Sequence, residues 1–236
     1  MCKLKLEINQ CYDLDCKVGM QLMKERGIKA DWCITDPPYG IGVGTMTYTN
    51  GVAIAGKAAA TRRDYTCKDN LWDNERISKE FFDLIFELSG NQILFGGNYY
   101  TDILPVTKSW VVWDKRCDDK LRNSFSDCEM AWCSQGVARV FHYMFNGMLQ
   151  GDMSNKDYRF HPTQKPTQLW TMLLNHYTKE GDLILDPFAG SQSLRIACHK
   201  LKRKYIGFEI SKGYFEKGTK WFEQETAQVS IFDLLN

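Results

Sequence analysis

Hydrophobic positions recur along this chain with two periods, one of about two residues and one of three to four. Leu4, Leu6 and Ile8 alternate with polar residues and predict a short strand over 3–9. Val18, Leu22 and Met23 form a helical stripe over 18–25 that Gly27 ends. The apolar run 30–35 (ADWCIT) predicts a buried strand, and it stops at Asp36-Pro37-Pro38-Tyr39. Two prolines cannot continue a ladder, so this tetrapeptide is a loop at the strand's C-terminal end. Residues 40–70 are rich in Gly, Thr and Ala and predict a long mobile loop. Phe81, Phe82, Ile85 and Leu88 then stripe a helix over 78–89, with Ser78 as N-cap and Gly90 as its end.

Further along, 92–95 and 109–113 predict strands, and 127–143 predicts a strand pair around Gln135-Gly136. After His161 helices and strands alternate: a helix over 169–177, a strand over 183–185, a helix over 194–201, a strand over 205–208 and a last helix over 213–225. Such alternation implies an α/β layered sheet with helices on both faces. Ligands of such sheets bind beyond the C-terminal ends of the strands.

A chain of 236 residues fits one domain with a full core, and 44% hydrophobic with 25% charged residues is an ordinary globular balance. No segment is apolar and long enough to span a bilayer, and the first ten residues lack a signal-peptide core, so a soluble cytoplasmic protein is expected. The nine cysteines are odd in number and read as reduced thiols. Cys117, Cys128, Cys133 and His142 share one stretch, but their spacing matches no zinc-ligand pattern, so no metal is expected. A net charge of +1 argues against a general affinity for nucleic acid while leaving room for a local basic groove. Lys57, Arg62 and Arg63 make one basic cluster, and Lys115, Arg116, Lys120 and Arg122 a second, diluted by acidic neighbours. Lys200, Lys202, Arg203 and Lys204 read as a solvated helix end.

Three clusters carry candidate chemistry. The first is 36–39. The lone pair of an aromatic amine is delocalised, so alkylating it calls for two acceptors that draw the nitrogen toward tetrahedral geometry. The Asp36 carboxylate and the Pro37 carbonyl, stiffened by Pro38, could be those acceptors. Tyr39 offers a flat face for a base taken out of a stack. A tight Asp-Pro-Pro turn explains the same letters without chemistry. The second cluster is Asp186-Pro187-Phe188-Ala189-Gly190-Ser191, a loop between a strand and a helix whose amides could face an anionic ligand. The third is Glu209, 23 residues after Asp186 at the tip of the next strand, where a carboxylate can accept ribose hydroxyls. A nicotinamide dehydrogenase shares the last two features but leaves 36–39 without a role. Residues 161–166 (HPTQKP) form an extended segment ahead of a helix and supply Thr, Gln and Lys donors.

The motifs at 36–39, 161–166 and 186–191, in that order along the chain, resemble the amino-methyltransferases of DNA, and the chain is similar to small phage and bacterial adenine methylases of the permuted beta class. The resemblance extends through 72–75 (WDNE), 91–99 (NQILFGGNY), 110–115 (WVVWDK) and 229–232 (VSIF). It implies a class I S-adenosylmethionine-dependent methyltransferase sheet, Rossmann-like, with circularly permuted motif order in a single domain over 1–236. It implies that Asp36, Pro37, Pro38 and Tyr39 hold a flipped base. It further implies that Asp15, Cys16, Asp36, His161, Thr163, Lys165, Asp186, Phe188, Gly190, Ser191 and Glu209 line an S-adenosylmethionine pocket. The implied target-recognition insertion is 116–160, with Arg62, Arg63, Lys115, Arg116, Lys120 and Arg122 on double-stranded DNA. Adenine N6 is favoured over cytosine N4, because cytosine enzymes of this type more often carry Ser at the position of Asp36. The implied setting is a bacterial or phage-infected cell, with a homodimer left open. One departure stands out. The family's cofactor loop continues Gly-Ser-Gly, whereas this chain reads Gly190-Ser191-Gln192. A glutamine there has either to bear a positive φ or to point away from the cofactor, and a protein that grips DNA without turnover is the alternative it raises.

Overall fold

The computed structural model describes residues 5–42, 73–117, 126–146 and 149–233. Leu4, Lys57, Arg62, Arg63, Lys120, Arg122 and most of the loop predicted at 40–70 lie outside them. In chain order the elements are β1 (Gln10–Asp13), α1 (Cys16–Glu25), β2 (Ala30–Thr35), α2 (Lys79–Leu88), β3 (Ser89–Phe95), β4 (Trp110–Asp114), β5 (Cys128–Cys133), β6 (Arg139–His142), β7 (Phe145–Asn146), β8 (Leu149–Gln150), α3 (Thr167–Tyr177), β9 (Leu183–Asp186), α4 (Ser193–Lys200), β10 (Lys204–Glu209) and α5 (Lys212–Asp233).

Eight strands form one sheet in the order β1-β10-β9-β2-β3-β5-β4-β6, and β7 and β8 make a separate pair. From β1 to β3 the neighbours are parallel, whereas β5 runs antiparallel to both β3 and β4. The central strands are covered on both faces, which explains their nearly continuous apolar runs. Leu169, Leu173 and Leu174 of α3 and Leu194 and Ala197 of α4 pack on one face. Met20 and Met23 of α1 and Phe82 and Ile85 of α2 pack on the other. The chain leaves β9 through α4 to β10 on one side, and leaves β2 through α2 to β3 on the other. Because β9 and β2 are adjacent, their C-terminal tips open a crevice at the point where the winding reverses.

Four sequence expectations are corrected in whole or in part. The strand predicted at 3–9 lies at 10–13 instead. Asn9 takes a left-handed turn (φ 68°), its amide donates to the Tyr205 carbonyl, and only then does the chain enter the sheet beside β10. Gly90 does not end α2; the chain becomes extended at Ser89, and Gly90 belongs to β3. Residues 127–143 do supply two strands around Gln135-Gly136, β5 and β6, but these do not pair with each other, because β4 lies between them and pairs with both. The last helix also runs past 225, to Asp233.

Candidate active site

Loops from the tips of β2, β9 and β10, the start of α1 and the segment before α3 enclose a cavity of about 320 Å³. Its wall contains Asp15 and Cys16, Asp36, His161, Thr163 and Lys165, and Asp186, Phe188, Gly190, Ser191 and Glu209. Every residue expected in a cofactor pocket is therefore brought to one cavity. Of the four residues expected to hold a base, Asp36 and Pro38 line it.

The loop at 36–39 is held by groups far away in sequence. One oxygen of Asp73, a buried residue, accepts the amides of Tyr39 (2.6 Å) and Gly40 (3.0 Å). The Tyr100 hydroxyl donates to the Pro38 carbonyl. Tyr39 donates its hydroxyl to Asp36 and stacks on Tyr99 with ring centroids 4.8 Å apart. This packing depends on Gly96 (φ 65°), where a Cβ would overlap the Tyr39 ring.

Asp36 sits in a network of alternating charge. Lys165 places its ammonium 2.5 Å from Asp36 and 2.9 Å from Glu129, and Glu129 meets Lys115 at 3.1 Å. Burial pushes Asp36 above the usual carboxylate range, with Lys165 opposing the rise. Burial would also raise Glu129 and lower Lys165, but the ion pairs outweigh it, so Glu129 titrates low and Lys165 high. Lys165 and Asp36 thus line the cavity side by side, the ammonium set against the carboxylate. Sequence reasoning did not single out Glu129 or Asp73 as site residues. Glu129 is an unremarkable polar position in β5, and Asp73, though part of the resembling run 72–75, carried no role there; proximity in the fold assigns both.

The rest of the wall is anchored by the backbone. Asp15 caps α1 by accepting the amides of Lys17 (2.8 Å) and Val18 (3.2 Å). Glu209 accepts the amides of Gly190 (2.8 Å) and Ser211 (2.7 Å), which fixes the loop that follows β9. Burial pushes Asp186 and Glu209 each up to about 7. His161 packs against Tyr214, and burial lowers it to about 3, so its ring is neutral across the physiological range. Phe188 packs on Phe81 of α2. The two buried carboxylates, the aromatic walls and the open Gly190 turn (φ 51°) suit a ligand with hydroxyls, an ammonium group and a flat ring. This donor set fits S-adenosylmethionine.

Gln192 bears the positive φ, at 61°, and does not line the cavity. Its side chain turns into the protein, where Nε2 donates to the Phe215 carbonyl (2.9 Å) and to Thr219 Oγ1 (3.2 Å), and Oε1 accepts from Arg195 (2.9 Å). Of the expected DNA-facing cations, Lys115 is paired with Glu129, and Arg116 with Asp127 at 3.0 Å. The third basic cluster is only partly a solvated face, because Arg203 caps α3 by donating to the carbonyls of Leu174 and Thr178. Among the described residues no three His, Cys, Asp or Glu side chains gather as a metal site, and no helix is long and apolar enough to cross a membrane.

Comparison with known proteins adds four findings. A family model described as DNA methylase matches residues 97–220. The type II methyltransferase M.HpaI of Haemophilus parainfluenzae is 41% identical, over 83% of this chain and 68% of its own length. DNA adenine methyltransferase YhdJ of Escherichia coli K12 is 39% identical over a shorter stretch, 27% of this chain and 22% of its own. Among solved structures, the M1.HpyAVI–SAM complex superposes with a TM-score of 0.56 at 23% identity, covering 89% of this chain and 98% of that one.

Proposed function

From the premise that the chain belongs to the DNA methylase family, we propose that it transfers the methyl group of S-adenosylmethionine to N6 of an adenine flipped out of double-stranded DNA. The observation that carries this reading is a shared wall: Asp36 and Pro38 of the catalytic loop line the same cavity as Asp186, Gly190 and Glu209. When bound, the cofactor supplies an electrophilic methyl on a sulfonium whose sulfur leaves neutral. The protein's own groups do the positioning. Asp36 accepts one N–H of the base amine, at the oxygen now held by the Tyr39 hydroxyl. The Pro37 carbonyl accepts the other. Both bonds tighten as the nitrogen becomes positive. Once displaced from Asp36, the Tyr39 ring stacks on the base, and Asp73 and Tyr100 keep the loop rigid meanwhile.

Two observations favour adenine over cytosine: Asp rather than Ser at position 36, and similarity to a relative named for adenine. The inward turn of Gln192 leaves the cavity open and so supports turnover rather than binding alone. Target recognition falls to 116–160. Since 128–142 also supplies β5 and β6 to the sheet, base contacts are assigned to its flanks, together with the loop at 40–70 and Arg62, Arg63, Lys115, Arg116, Lys120 and Arg122. The order of the motifs along the chain supports the permuted class, and the similarity to a type II methyltransferase supports a cytoplasmic setting; we take 1–236 as one domain, with a homodimer as the assembly to test first. The deciding experiment is transfer of labelled methyl from S-adenosylmethionine to unmodified DNA, followed by nucleoside analysis. N6-methyladenine is the expected product. N4-methylcytosine would correct the base, and absence of both with intact cofactor binding on diverse DNA would overturn the reading.

A further inference from the structure

Lys165 brings a full positive charge to the wall of a cavity that, on the proposed function, must admit a second one. Its side chain is 5% exposed, and two carboxylate oxygens lie within 3 Å of the ammonium, one from Asp36 and one from Glu129. Asp36 alone cannot both neutralise Lys165 and serve the incoming amine. Glu129 is absent from the cavity wall and approaches Lys165 from behind, on β5. Its other oxygen meets Lys115, which is more exposed, at 17%, and therefore better screened by water. Seen from the cavity, the inner cluster holds one cation and two anions.

We propose that Glu129 is a positioning residue that offsets the Lys165 charge, so that the cavity accepts a sulfonium and prefers S-adenosylmethionine over its neutral-sulfur product, S-adenosylhomocysteine. The inference rests on the methyltransferase reading and adds a determinant of cofactor-over-product preference outside the pocket wall. The two ligands differ in one methyl group and one unit of charge at sulfur. A glutamine at 129 keeps the shape and an acceptor for Lys165 but removes one negative charge. The loss is felt by the charged ligand and barely by the neutral one.

The test is calorimetric titration of both ligands, at fixed pH and low salt, into wild type, Glu129→Gln and Lys115→Gln. Glu129→Gln is expected to weaken S-adenosylmethionine by roughly 5- to 30-fold and S-adenosylhomocysteine by less than about 2-fold. Lys115→Gln removes the opposing cation and is expected to move the affinity ratio the other way, by about 2-fold. It carries the test should Glu129→Gln not fold. Equal weakening of both ligands, which a merely structural role produces, overturns the inference, as does an unchanged ratio. Wild-type protein that binds neither ligand sinks the methyltransferase reading and this inference together. Normal wild-type binding with an unchanged ratio in the variants sinks the inference alone.

Discussion

The Thr35 hydroxyl donates to the Asp186 carboxylate at 2.7 Å, joining the tips of β2 and β9 where the loops that open at Asp36 and Pro187 begin. Both side chains are buried. Thr35→Val keeps the shape and removes the donor. A hydrogen bond to a charged group contributes about 1.5–3 kcal/mol, and a neutral one about 1. Since Asp186 titrates near 7, urea denaturation should show a loss of about 2 kcal/mol at pH 8 and roughly half of that at pH 5. Equal losses at the two pH values would show that the bond does not depend on the charge of Asp186.

Asp186 and Glu209, both pushed up to about 7 by burial, make cofactor affinity depend on pH. Both groups titrate near 4 in an unfolded chain. The folded protein therefore holds more protons between pH 4 and 7, and their contribution to stability is full at low pH and is lost as pH rises through about 7. A ligand that donates hydrogen bonds to the ionised carboxylates reverses that loss. Binding of S-adenosylmethionine should tighten from pH 6 to pH 8 and release protons near pH 7, as measured by calorimetry in buffers of different ionisation enthalpy. Glu209→Gln should flatten the dependence and weaken binding, and proton uptake on binding would contradict the assignment.

Asp36→Ala removes the acceptor for the amine and, at 1.36 kcal/mol per decade, should lower kcat by at least roughly tenfold to a hundredfold. Tyr39→Phe keeps the flat ring and removes only the hydroxyl that holds Asp36, so kcat should stay within about threefold of wild type. Tyr39→Ala, which removes the stacking face as well, should lose more than Tyr39→Phe by about tenfold, consistent with about 1–3 kcal/mol per stacked base. Steady-state methyl transfer checks all three. Full turnover by Asp36→Ala would end its assigned role.

That 36–39 is a loop was legible because its evidence is local: a mostly apolar run over 30–35 followed by two prolines reads as a strand that ends in a loop. The residues of 186–191 stand, for the same reason, where a strand pattern breaks, and the fold gathers them at one cavity. What escaped the sequence is non-local. Nothing in the alternation of 127–143 shows that β4 will come between β5 and β6, and with that goes the position of Glu129 beside Lys165. Asp73 is likewise silent until the fold sets it under the amides of Tyr39 and Gly40. The strand predicted at 3–9 failed through a single torsion, the left-handed Asn9, since alternation reports which face is buried and not where a chain bends. Lys115 was expected on DNA within a cluster diluted by its neighbours in sequence; its ion-pair partner, Glu129, is brought to it only by strand pairing across β4 and β5.

Gln192 combines a strained backbone with a satisfied side chain, and two substitutions separate the two. The left-handed conformation at φ 61° costs a non-glycine residue roughly 1–2 kcal/mol. Against that stand the bonds to Phe215, Thr219 and Arg195, in a residue with no exposed surface. Gln192→Ala keeps the strain, loses the bonds and leaves a void beside Arg195, so it should destabilise the protein by about 2–4 kcal/mol. Gln192→Gly loses the same bonds but relieves the strain, and should be more stable than the alanine variant by about 1 kcal/mol even though glycine costs more chain entropy. Chemical denaturation of the three proteins gives the order wild type, glycine, alanine if the side-chain bonds outweigh the strain. A glycine variant more stable than wild type would mean that the strain exceeds what the tie to α5 returns. Because Gln192 turns away from the cavity, cofactor affinity should change by less than about threefold in either variant at temperatures where it is folded; a larger change would place the glutamine in the binding site after all.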